Sequence, residues 1–255
     1  MKKIIVMMRH TVRSLYEQRL IGGLLALAAL FLVIVSVMGH FRTEEQVKML
    51  QDMGVTFFSA YAFLIILLIV PNLFHTEYPD TTDLIFFTKP VRRTSIVLGK
   101  FLGVLWFFLL TLITGTAFFL LILFMRFHVW NPVLLKMIYL LVLKYVLFLA
   151  VMFFLSSCMH RTLAFFCGIA VFVLANMGAF LYAPDHPGKA AAGISVFQIA
   201  ALTVLPRFDF FSVTDALLLG RTIPFSYLAL VTGYTALYGG CTLFLAIAIW
   251  NRKEL

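Results

Sequence analysis

Six stretches of this chain are apolar almost without interruption: Leu20 to Gly39, Val55 to Phe74, Phe101 to Met125, Val133 to Leu155, Leu163 to Tyr182 and Phe225 to Trp250. Each is near or above the roughly 20 residues an α-helix needs to cross a bilayer. Strict alternation is scarce in these runs, which predicts helices and argues against barrel strands, whose faces change every second residue. Ahead of the first run the period differs. Ile4, Ile5, Met8, Val12 and Leu15 share one helical face, while Lys2, Arg9, Arg13 and Glu17 share the other. That is the pattern of an amphipathic helix lying on a membrane surface. A cleaved signal peptide is the competing reading, and Arg9, Arg13 and Arg19 interrupt its apolar core.

Between the fifth and sixth runs the polar pattern changes again. Asp185-His186-Pro187-Gly188 reads as a turn, and Ile194 to Leu205 is apolar apart from Ser195, Gln198 and Thr203, a run too short to span. Residues 183–224 are therefore expected to hold a re-entrant or interfacial helix on the outer side. The predicted fold is an all-α integral membrane protein of six transmembrane helices. It has an N-terminal interfacial helix at 1–19 and a membrane domain at 20–255 with a cytoplasmic loop at 75–100.

Composition agrees with lipid as the main solvent: 63% of residues are hydrophobic, 12% are charged and the mean hydropathy is +1.03. The formal charge of +9 does not imply nucleic acid, because the basic residues collect at the ends of the apolar runs, where they set topology and meet lipid headgroups. With the N-terminus inside, twelve of the 20 Lys and Arg residues are cytoplasmic, seven are outside, and Lys144 remains in the bilayer. Both termini are expected in the cytoplasm. Cys158, Cys167 and Cys241 show no metal or redox spacing and fit buried thiols better than a disulfide framework.

The loop from Glu77 to Lys100 is the most informative stretch. Pro79 and Pro90 bracket a short unit in which Thr81, Thr82 and Asp83 can cap a helix with Leu84, Ile85 and Phe87 on its apolar side. Lys89, Arg92, Arg93 and Lys100 add positive charge. So much apolar surface on a solvated loop points to a docking partner.

In its spacing of Glu77, Thr82, Leu84, Pro90, Val91, Arg93, Leu98, Gly99 and Lys100, the stretch resembles the first cytoplasmic loop of ATP-binding-cassette type-2 transporter permeases. It departs from that pattern in having Thr81 where a glycine is usual and Asp83 before Leu84. The resemblance implies a coupling helix that contacts a separate ATPase subunit through Glu77, Asp80, Thr82, Asp83, Leu84, Phe87, Pro90, Arg92 and Arg93. For Arg92 and Arg93 the alternative is topology setting with headgroup binding, and for Glu77 it is capping or solvation.

Three further segments resemble the same family in pattern and length: Pro206 to Phe211 before the last helix, Ser156 to Thr162 as a second cytoplasmic loop, and the basic ending Trp250 to Leu255. The resemblance further implies an elbow helix at the N-terminus, pairing with a second copy or a related permease, and a bacterial inner-membrane location. It implies no enzyme activity in this chain, with ATP and Mg on the partner. The sequence agrees on the last point, since no GxxxxGK[ST] phosphate loop is present.

Other chemistry is sparse. There is no HExxH, the six histidines are scattered near membrane boundaries, and Glu44-Glu45 reads as solvated in an outer loop. No catalytic or metal residue is assigned. Lys144 stands out because a lysine at mid-membrane costs roughly 2.5–3.5 kcal/mol on insertion scales. Either it faces the bundle interior beside a polar partner such as Asn176, or it contacts substrate or a water-filled path. Asn176 by itself reads as helix glue. A stand-alone secondary transporter or channel is the alternative function. An intramembrane enzyme would need a reactive pair that the sequence does not offer.

Overall fold

Long apolar runs with few internal breakers become long helices. The computed structural model describes residues 2–17, 19–38, 44–74, 93–127, 132–176, 205–211 and 224–252, and all its regular structure there is helical. The elements are α1 (Lys2–Glu17), α2 (Arg19–Met38), α3 (Glu44–Phe74), α4 (Arg93–Phe127), α5 (Pro132–Cys158), α6 (Arg161–Asn176), a 3-10 turn at Asp209–Phe211, and α7 (Phe225–Arg252). Among the described residues, Met49–Leu73, Thr94–Met125, Val133–Cys158 and Phe225–Asn251 are long and apolar enough to cross a membrane, and α6 is a shorter apolar helix.

Contacts fix the helix directions. Along α5, residues Met152, Phe148 and Lys144 meet Gly168, Phe172 and Asn176 of α6 in turn, an antiparallel ladder in steps of one helical turn. The α3 pairs Ser59 with Tyr145 and Phe63 with Phe148 run in the same order on both helices, so α3 and α5 are parallel. Lys136 with Phe225, Tyr139 with Thr232 and Ala150 with Gly239 make α7 parallel to α5 as well. α4 opposes α3, with Phe119 against Gly54 and Phe58, and Lys100 Nζ donating to the Leu73 carbonyl at 3.4 Å. These directions bring the C-terminal ends of α3, α5 and α7 to one end of the bundle.

The same end receives α1, which packs along the first part of α4. Its buried side is Met7, Thr11 and Leu15, with Ile5 62% exposed, so the face is rotated from the expected Ile4–Ile5–Met8–Val12–Leu15 stripe. Thr11 explains the rotation. Its hydroxyl donates to the Met7 carbonyl at 2.9 Å, so it buries no unpaired polar atom, and its small side chain sits against Gly103. From there the chain rises beside α4, with Tyr16 edge-on to Phe107 and Phe31 near Phe119.

Other expectations change. Glu44 and Glu45 open α3 instead of lying in a loop, since no proline or glycine intervenes before Gly54 and acidic residues suit a helix N-terminus. The Ser156–Thr162 loop shrinks to Met159 and His160, because Ser157 returns its hydroxyl to the Phe153 carbonyl at 2.7 Å and α5 continues through Cys158. None of the three cysteines is buried: Cys158 and Cys241 are exposed and Cys167 is half-buried. Outward helix faces are as apolar as inward ones when lipid is the solvent, so thiols need no protein cover. The expected Leu163–Tyr182 run is described as helix through Asn176, and the expected short helix from Ile194 falls, apart from Leu205, outside the described residues.

Candidate functional site

The polar centre of the bundle lies halfway along α5. The register of the α5–α6 ladder carries Asn176 to Lys144, and Gly168 leaves room at that register for the end of the Met152 side chain. Lys144 Nζ donates to Asn176 Oδ1 at 2.7 Å, while Asn176 Nδ2 donates to the Phe172 carbonyl at 2.7 Å, which fixes the orientation of the amide. The ammonium also faces three rings, Phe172 and Phe208 at 5.5 Å and Tyr145 at 6.0 Å. Tyr145 is held by a 2.7 Å hydrogen bond with Ser59.

Magnitudes account for a lysine at this depth. A hydrogen bond to a charged group is worth roughly 1.5–3 kcal/mol, and a desolvated cation–π contact about 2 kcal/mol or more. Together these offset an insertion cost of about 2.5–3.5 kcal/mol.

Part of the cage comes from outside the long helices. The segment 205–211 wedges between α5, α6 and α7. The Phe208 N–H donates to the Ala175 carbonyl at 3.3 Å, the Arg207 N–H donates to Tyr234 Oη at 3.1 Å, and Tyr227 Oη donates to the Phe210 carbonyl at 2.6 Å. Phe208 is fully buried against Phe148 and Phe172, and Phe211 packs on Phe208 and Tyr234. Asp209 follows Phe208 directly and opens the 3-10 turn, so a carboxylate adjoins this segment of the cage. Sequence reading placed Lys144 and Asn176 but missed Phe208 and Asp209. An acidic residue between phenylalanines, in a chain with few charges, was the available signal.

The wedge makes a testable contrast between two tyrosines. Tyr234→Phe removes the acceptor of the Arg207 amide and should destabilise the protein by roughly 0.5–1.5 kcal/mol. Tyr61 is buried, and its hydroxyl has no partner among the described residues, so Tyr61→Phe should be neutral or stabilising. Thermal unfolding in one detergent compares them; equal losses would mean that the Arg207 contact contributes nothing.

Of the residues expected on the loop, Glu77, Asp80, Thr82, Asp83, Leu84, Phe87, Pro90 and Arg92 lie outside the described residues, and Arg93 is the first residue of α4. The loop's two flanks are joined by the Lys100 to Leu73 bond. Among the described residues no group of three His, Cys, Asp or Glu side chains could hold a metal. Fold and centre together define a helical, multi-pass membrane protein with a cation, Lys144, held at mid-bundle. No protein-family model matches the chain, and no curated protein matches it.

Proposed function

We propose that this chain is the membrane-spanning subunit of an ATP-binding-cassette type-2 exporter of the bacterial inner membrane. On this reading α2 and α6 complete six crossings, α1 is the interfacial elbow, and both termini are cytoplasmic. A separate ATPase subunit binds ATP and Mg and docks on the loop through Glu77, Asp80, Thr82, Asp83, Leu84, Phe87, Pro90, Arg92 and Arg93. A second copy or a related permease completes the assembly, and Lys144 with Asn176 marks the polar point of the substrate path. The observation that carries the reading is the motif from Glu77 to Lys100, set between two apolar helices. The helix directions support it, since the two ends that flank this loop, Phe74 and Arg93, lie on the same side of the bundle as the short α5–α6 turn and the end of α7.

Gentle detergent purification of the tagged chain from its native membrane, followed by mass spectrometry, tests it. An ATPase should co-purify with the wild type and be lost from Arg92→Glu/Arg93→Glu. Absence of any ATPase, under conditions that keep other complexes intact, would overturn the reading. A stand-alone secondary transporter or channel draws on one observation, the charged residue halfway along α5. Transport that survives loss of ATP but not of the proton gradient would favour it.

A further inference from the structure

Where α3 ends and α6 begins, the bundle surface opens into a cavity of about 290 Å³ lined by Leu67, Leu68, Pro71, Asn72, Arg161, Thr162, Phe165 and Phe166. Its lining is graded. Arg161 and Thr162, both exposed, form the polar end, and Phe165, Phe166 and Leu68 continue it along the helices as an apolar strip. No carboxylate lines it, and Arg161 makes no hydrogen bond or ion pair among the described residues. Pro71, which has no N–H to return to the helix ladder, lies on the α3 side of the cavity.

We propose that this cavity binds one phospholipid with an anionic headgroup. Three observations select that occupant. A guanidinium with no partner among the described residues calls for a phosphate or carboxylate, and a planar fork suits phosphate oxygens. The volume lies at the lower end of the range for ligand pockets, roughly 300 Å³, enough for a headgroup but not for two acyl chains. The chains have a place outside it, since Phe166 is 62% exposed on the outward face of α6. The site does not depend on the transport reading and would exist equally in a channel.

Native mass spectrometry of the purified full chain tests it, with dioleoyl phosphatidylglycerol, dioleoyl phosphatidylcholine or inorganic phosphate added separately. Wild type should retain phosphatidylglycerol about fivefold more strongly than phosphatidylcholine, the factor that one arginine supplies near an anionic surface. Arg161→Ala should abolish the preference, Arg161→Lys should keep part of it, and Arg9→Ala, on the exposed side of α1, should leave it unchanged. Phe166→Ala should weaken both lipids equally while keeping their ratio. The proposal is overturned if Arg161→Ala keeps the full preference, if Arg9→Ala removes it equally, or if inorganic phosphate alone occupies the site as tightly as the lipid.

Discussion

Asn176→Leu should destabilise the detergent-solubilised protein by roughly 1.5–3 kcal/mol, while Lys144→Met should leave it as stable as the wild type or more so. The asymmetry follows from which partner is charged. Leucine at 176 leaves the ammonium facing three rings with its 2.7 Å acceptor gone. Methionine at 144 keeps the length of the stem and removes the buried charge. Asn176 Oδ1 loses its donor, but a neutral amide oxygen costs less to leave unpaired than an ammonium, and Nδ2 stays bonded to the Phe172 carbonyl. Thermal unfolding of both variants, followed by size-exclusion fluorescence, distinguishes them. If the two lose the same stability, Lys144 is held by the fit of its stem and not by its charge. A transport assay separates the other role: a Lys144→Met protein that folds but no longer moves substrate would place the cation on the path.

Gly54→Leu is expected to be the most damaging single change in the first half of α3. Any Cβ at this position would run into the ring of Phe119, which is itself fully buried and packed edge-on to Phe58 at 5.7 Å. Phe31 stacks on Phe57 at 3.7 Å and closes the cluster, so the ring has little room to turn away. Overpacking of this kind costs about 1–3 kcal/mol. Gly233→Ala is the matched control, because that glycine has open space around it and should change stability by no more than about 0.5 kcal/mol. Folded yield and melting temperature measure both, and a Gly54→Leu protein as stable as the control would show that α2, α3 and α4 can separate without loss.

Helix positions were legible in the sequence because length and hydropathy report directly on what lipid tolerates. The Lys144–Asn176 partnership was legible for a related reason: a cation at mid-membrane needs an acceptor, and few polar residues offer one. Orientation about each helix axis was not. Lipid and protein interior are equally apolar, so the pattern cannot distinguish Phe166, which is largely exposed, from Phe172, which closes the Lys144 cage on the same helix. The same degeneracy hid the rotation of α1 and the outward cysteines. The wedge at 205–211 was hidden for another reason, since its place depends on hydrogen bonds to Ala175, Tyr227 and Tyr234 that no local pattern encodes.

Pro71 sets how the bundle yields to force. It removes one rung of the α3 ladder three residues before Phe74, so a load applied beyond that point is absorbed as bending of the last turn. α4 contains no proline from Arg93 to Phe127 and behaves as a strut. The Lys100 bond to the Leu73 carbonyl ties the compliant end to the stiff one. α4 is thus the stiffer of the two joined helices and leads to Phe119 and the ring cluster at its far end, while α3 is the more compliant one.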